Sequence, residues 1–432
     1  MATYYIESDG TGGTTGGDGS TGTPYGTLAE MISDIGSLSD GDIVYIDTDT
    51  NGPLLESWSA SNLDGVTFGP WEGRSTTVRI LNAALATVDT VHDIGGGDPF
   101  DTYKNAISDL GAAPETVVED WDSRINSDGN RYGFLPEVGT LAGLRTTRGW
   151  LWNGSRLFVS VPDGEDASTK TYYAGLTGDV WVLTNPSNLT LNNISFELAT
   201  ESGNGNGYGL RLLGAVSNVT LNACEFDGNQ YHSFGSVGTS TTDLTMTDCV
   251  FRSVVAGTDS HWVVYSSSAS VGTSGVVVDG AEFWLVPWLH YDGSPLETSG
   301  GVKAVAAHHL TGAAATQAGG IIFKNGESKY NGDNAASASL DFVFTAPNTN
   351  HGAPSDEDDP STYPIIVQDS VWGGHGVGAG GGSGSEVHIA FERCQFNIDT
   401  SSVTSGQPVT GCQIASTAGT SSNTTVLLSA CT

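Results

Sequence analysis

Basic residues are what this chain of 432 residues has least of: 15 Lys and Arg stand against 49 Asp and Glu, for a formal net charge of −34. A field of that sign repels phosphate backbones and anionic lipid, which argues against nucleic acid and against membrane insertion. It also opposes an anionic polysaccharide unless calcium bridges the two. Cysteine is scarce. The five present include no Cys-x-x-Cys pair, so neither a zinc-ribbon nor a redox spacing occurs, and Cys412 has no obvious mate. No apolar run approaches the roughly 20 residues a membrane span needs. The opening Met1-Ala-Thr-Tyr-Tyr-Ile6 lacks the basic and apolar segments of a leader. That leads us to expect a signal peptide already removed, or exit by another route such as virion assembly and lysis. What is plentiful is glycine, 59 residues, alongside 38% apolar residues and ten tryptophans. Those numbers suit a real core threaded by many tight turns.

A phrase recurs along the second half. It reads Leu189-Thr-Leu-Asn-Asn-Ile-Ser-Phe196, Val219-Thr-Leu-Asn-Ala-Cys-Glu-Phe226 and Leu244-Thr-Met-Thr-Asp-Cys-Val-Phe251. It returns at Val276–Phe283, Ile365–Trp372 and Ile389–Phe396, more weakly at Ile321–Gly326, and at Val426–Cys431, where the chain ends before the aromatic position. Alternation at period two makes each copy a β-strand. Successive starts are 30, 25, 32, 45 and 44 residues apart, which suits one coil of a solenoid with loops of variable length. Cys224, Cys249, Cys394 and Cys431 share a slot held elsewhere by Ile194, Ala281, Gly326 and Ser370. Buried thiols packing as small hydrophobes in stacked parallel strands account for that slot. The sequons at Asn188, Asn193 and Asn218 fall at strand edges, where asparagine suits turns and ladders. An open final coil points to a processed chain or to continuation by partner subunits.

The opening reads as a cap. Tyr4–Asp9 is a strand, and Pro24-Tyr-Gly-Thr-Leu28 leads into a short amphipathic helix through Leu28, Met31, Ile32 and Ile35. Gly41-Asp-Ile-Val-Tyr-Ile46 starts the next strand. A helix there covers the open end of a coil that would otherwise expose unpaired edges. Together with Gly149–Gly164 and the repeats, this run resembles right-handed parallel β-helix proteins of the pectate-lyase-like superfamily, which include polysaccharide lyases, polygalacturonase-type hydrolases and phage tail spikes. The resemblance implies an all-β, right-handed parallel β-helix with an N-terminal capping helix and a side insertion. We read residues 1–88 as cap and first coils and 89–175 as an inserted subdomain or long loops. Residues 176–432 are regular coils with long loops at 284–320 and 331–363. Within the insertion, Phe100, Tyr103, Ile107 and Leu110 have helical spacing, and Trp150–Phe158 reads as a hairpin turning at Asn153-Gly154.

Several constellations carry chemistry. Asp358-Asp359, followed by Gly374-His375-Gly376, resembles the paired aspartates and Gly-His-Gly of polygalacturonase-type hydrolases. In that resemblance Asp358 and Asp359 are general acid and base, and His375 supports them. The family's Asn-x-Asp is replaced by Asn348-Thr-Asn350, and no basic residue follows Arg393. A solvated acidic loop and a turn histidine read the same residues without chemistry. Asp120, Asp122 and Asp128 offer hard oxygen ligands for calcium, although no cofactor is required. A lyase would also need a base, and Arg211, Arg252, Lys303 and Lys324 lie in no recognisable motif. Trp262, Tyr265, Trp284, Trp288 and Tyr291 form an aromatic set suited to sugar rings, or to a core or subunit interface.

Two functions follow as expectations. The first is a homotrimeric virion or cell-surface appendage (tail spike, fibre or capsid decoration) that binds a surface glycan, at a virion surface or extracellularly. The alternative is a polysaccharide-degrading enzyme, a hydrolase before a calcium-dependent lyase. If the fold needs no oxidation, thiol titration of the denatured, unreduced protein will find all five cysteines free, and reductant will leave the melting temperature unchanged.

Overall fold

The computed structural model describes residues 1–10, 15–88, 90–93, 99–104, 110, 113–120, 132–163, 165–200, 207–229, 232–252, 273–285, 289–290, 308–311, 319–330, 342–346, 354–374, 377–381, 387–398 and 424–432. Strands make up 53% and helices 6%, so the fold is all-β around a large parallel sheet. Each phrase supplies two strands. In the first, Leu189 and Leu191 are buried while Thr190 and Asn192 lie outward and half-exposed. The chain then turns at a residue in the left-handed region: Asn193, Ala223, Asp248, Asn325, Asp369, Arg393 and Ala430 have φ between 49° and 54°. Gly280 takes the same place at φ 71°. Asparagine and aspartate visit this region readily, whereas alanine and arginine pay about 1–2 kcal/mol that packing must offset. At Gly280 a Cβ would sit 2.3 Å from the Asp248 carboxylate, so a larger residue there would push that side chain aside.

First strands build one parallel sheet, the first sheet, in the order Thr3–Glu7, Ile43–Asp47, Thr67–Pro70, Ser187–Asn192, Tyr208–Asn222, His232–Thr247, Val276–Asp279, Ile321–Lys324, Ile365–Gln368, Val387–Glu392, Thr424–Ser429. Second strands build a nine-stranded parallel sheet, the second sheet. It runs Leu54–Leu55, Val78–Leu81, Ile194–Glu197, Glu225–Asp227, Val250–Arg252, Glu282–Leu285, Glu327–Tyr330, Val371–Gly374, Gln395–Ile398. A third sheet pairs His308–Thr311, Phe342–Ala346 and Val377–Gly381 in parallel. From Ile321 to Glu392 the chain twice visits first, second and third sheets in turn and returns to the first.

Strand register follows the alignment of the phrases: Leu189 pairs with Val219, Val219 with Leu244, and Ile321 with Ile365. In the second sheet Phe196, Phe226, Phe251 and Phe283 lie opposite one another. Their rings stack at 5.5, 4.9 and 4.9 Å between centroids. Such a pair adds about 0.5–1.5 kcal/mol beyond its buried area. The next copy has Ser328 instead of an aromatic, and the Phe323 ring bridges instead, 5.6 Å from Phe283 and 5.3 Å from Trp372. Each thiol of the ladder points at a carbonyl of the repeat before it: Cys224 at Leu191, Cys249 at Leu221, Cys394 at Val367, Cys431 at Phe391. Burial pushes the Cys394 thiol up to about 11, so it stays protonated and able to donate at neutral pH. These four cysteines are unpaired. Asparagines ladder outside, Asn218 donating to Asn188 at 2.7 Å and Asn222 to Asn192 at 2.9 Å.

The helix Leu28–Ile35 closes the N-terminal end, burying Leu28 and Met31 in the same core as Ile6, Val44 and Ile46. Thr27 caps it, accepting from the Glu30 N–H, and Glu56 accepts from the Leu28 and Ala29 N–H groups. Two further sheets come from the chain between Val78–Leu81 and Trp181, joined by the later strand Leu289–His290. One is five-stranded, in the order Leu289–His290, Tyr132–Leu135, Thr116–Asp120, Thr171–Gly175, Ala83–Ala86. The other is four-stranded and antiparallel, and contains the Trp150–Trp152 and Leu157–Pro162 hairpin around Asn153-Gly154. Phe100–Lys104 is a strand of that sheet and not the start of a helix. Pairing on both sides, to Leu157–Pro162 and to Thr90–Asp93, outweighs its helical spacing. Residues 105–109 lie outside the described set.

Truncating the ring stack tests this packing. Phe251→Ala is expected to destabilise the fold by about 3–5 kcal/mol in urea unfolding, because its cavity lies between two stacked rings that cannot collapse together.

Candidate functional site

Because Phe226, Phe251 and Phe283 face inward, their neighbours on the second sheet face outward. One outward row runs through Ser195, Glu225, Val250, Glu282 and Glu327, in register. Two residues further along each strand lie Glu197, Asp227 and Arg252, with Glu197 opposite Asp227. Adjacent parallel strands are about 4.8 Å apart, so the register partners Glu282 and Glu327 are backbone neighbours on one face. Glu327 is exposed and Glu282 half-buried. Arg252 Nη1 donates to Glu225 Oε2 at 2.8 Å, with only 10% and 20% of the two side chains exposed.

At its N-terminal end this face is roofed by the five-stranded sheet, and a buried ion-pair network joins the two. Arg79 donates to Glu197 through Nε at 3.2 Å and Nη2 at 3.0 Å, to Asp120 at 3.4 Å, and to the Tyr132 hydroxyl at 2.9 Å. Tyr132 in turn donates to Glu197. Burial alone would lower the Arg79 pKa, but the charges of Glu197, Tyr132 and Asp120 hold it well above the usual guanidinium range. Around this network Leu81, Leu198, Tyr132, Phe134, Val118 and Tyr173 form a separate apolar cluster. The arrangement locks Glu197 in place and seals it, whereas Glu282 and Glu327 stay open to solvent.

Of the residues singled out in the sequence, Asp120, Trp284, Asp358 and Asp359 lie among the described residues. Asp358 and Asp359 are exposed, and Asp359 caps the short 3-10 helix Pro360–Thr362 by accepting from the Ser361 N–H at 3.0 Å and hydroxyl at 2.8 Å. The Asp358 N–H donates to Asp356 at 3.0 Å. This loop places Tyr363 over Ile366, Ala390 and Leu427 on the outer face of the first sheet. His375 lies outside the described residues, although Val371–Gly374 before it belongs to the second sheet. Asp120 is held by Arg79, while Asp122 and Asp128 lie outside the described residues. So do Trp262, Tyr265, Trp288 and Tyr291. The backbone of Trp284 pairs between Arg252 and Lys329. Among the described residues no group of three or more His, Cys, Asp or Glu is placed to hold a metal ion, and no helix is long and apolar enough to cross a membrane. Reading the repeats by outward slot would have found Glu225 and Glu282: both occupy the seventh position of the phrase, just before the aromatic.

Arg79→Met tests the network. It leaves buried Glu197 without its cation and is expected to cost about 3–5 kcal/mol at neutral pH. That deficit shrinks as pH falls and the buried carboxyl groups take up protons, because the charge that needs a partner is then gone. Urea unfolding at pH 7 and pH 4 measures both.

No protein-family model matches the chain, and no curated protein matches its sequence. Solved structures match by fold. A complex of XylC with xylose aligns at TM-score 0.53 and 10% identity, covering 92% of this chain and 76% of that one. A glycoside hydrolase aligns at TM-score 0.45 and 8% identity, covering 100% and 96%. A rhamnogalacturonan lyase aligns at TM-score 0.38 and 10% identity, covering 91% and 74%. At these identities the likeness shows the fold alone.

Proposed function

We propose that this protein degrades polysaccharide as a glycoside hydrolase, built on a right-handed parallel β-helix, with the outward row of the second sheet as its glycan face. The cyclic passage from first to second to third sheet supports the helix. Parallel crossovers are right-handed in about 98% of cases, which supports the hand. The sequence resemblance to the pectate-lyase-like superfamily and the fold likeness to a xylose-bound structure both fit a carbohydrate-acting protein.

The observation that carries the reading is the register pairing of Glu282 with Glu327. Two carboxyl groups about 5 Å apart can flank a glycosidic bond, one protonating the leaving oxygen and the other attacking the anomeric carbon. A wider pair on the same face would instead admit a water between them. Trp284, two residues beyond Glu282, and the aromatic set of Trp262, Tyr265, Trp288 and Tyr291 would supply stacking for sugar rings. Calcium at Asp120, Asp122 and Asp128 is not needed for this chemistry. A polymer of this kind is met outside the cell or at a virion surface. The homotrimeric appendage reading keeps the glycan and drops the turnover.

Reducing-end release from a panel of polysaccharides separates these readings. Glu282→Gln and Glu327→Gln should each lower kcat by about 10²–10⁴, while Asp359→Asn and His375→Ala retain it. The reverse pattern would move catalysis to the 356–376 region. Binding without turnover on every substrate would return the appendage reading.

A further inference from the structure

We infer that the glycan face takes a neutral polysaccharide and rejects uronate-bearing ones, an inference that rests on the glycan-face reading above. Recognising a uronate requires a cation whose charge is free to meet a carboxylate, commonly an arginine fork. The described cations on this face are already engaged. Arg252 is tied to Glu225 at 2.8 Å, and Arg79 to Glu197 and Asp120 beneath the five-stranded sheet. Turning Arg252 toward a substrate would break that largely buried ion pair, which is strongly unfavourable. On the outer face of the first sheet Lys324 is likewise paired, with Asp279 at 3.0 Å.

The remaining charge on the face has the wrong sign for a polyanion. Beyond the paired Glu225 and Arg252, the outward row carries Glu282 and Glu327 against, at its register position, Lys329. The chain as a whole adds a field from a net charge of −34, which lowers the local concentration of an acidic polymer before any contact forms. Carboxylates are good acceptors for sugar hydroxyls, so the same row that repels a uronate suits uncharged sugars.

The test is direct binding, by calorimetry, of soluble neutral xylan and mixed-linkage glucan against polygalacturonate and alginate. It is run at about 20 mM and about 150 mM salt, where screening differs severalfold, with and without calcium. Expected is at least about tenfold tighter binding of a neutral polymer, with the gap widening at low salt and calcium leaving the order unchanged. Glu225→Gln, which frees the Arg252 charge, should raise polygalacturonate affinity severalfold and narrow the gap. Tighter binding of polygalacturonate or alginate by the wild type, lost in Arg252→Gln, would overturn the inference and leave the glycan face standing. A calcium-driven reversal of the order would overturn it in the same way. Binding to neither class would overturn the glycan-face reading and this inference with it.

Discussion

Like residues stacked on like, about 4.8 Å apart along parallel strands, are the constraint on which every other feature of this molecule depends. A parallel strand buried in such a stack cannot satisfy its apolar face alone, so each position of the phrase must tolerate its own copy above and below. The rings at Phe196, Phe226, Phe251 and Phe283 do so by stacking, and the thiols by pointing at the carbonyls of the repeat before. The asparagines do so by donating to one another. Where a copy fails, as at Ser328, a neighbouring ring from the first sheet fills the place.

The corner between the first two sheets shows how strictly the stack is obeyed. A left-handed residue recurs there in coil after coil, and the stack holds even alanine and arginine in that conformation. A corner of fixed geometry keeps the outward slots of successive coils in line. That is why Glu225, Glu282 and Glu327, which lie tens of residues apart, share one row. A functional face built this way comes from register and needs no local motif.

Much of this was legible beforehand. The phrase, its period and its slot alignment are the observed strands and register, the thiol ladder is buried as its spacing implied, and the capping helix sits over the end of the core. The helical pattern at Phe100–Leu110 misled because a strand with partners on both sides overrides a short apolar period. The acidic loop at 356–359 stood out for its composition, and in the structure the Asp356 and Asp359 carboxylates accept hydrogen bonds within the turn that precedes Tyr363. Glu282 and Glu327 drew less attention, since single acids in separate copies look like solvated strand residues until they are set side by side.

The sequence by itself determined the architecture, because a repeated apolar alternation has one economical solution: copies stacked in parallel. It also determined the formal net charge of −34, which follows from composition alone. Tertiary structure alone decided which acids are sealed and which are open. Arg79, Asp120, Tyr132 and Glu197 come from four separate stretches and meet only because the five-stranded sheet folds back over the second. Burial and pairing are properties of what lies opposite a residue, and what lies opposite Arg79 is 118 residues away.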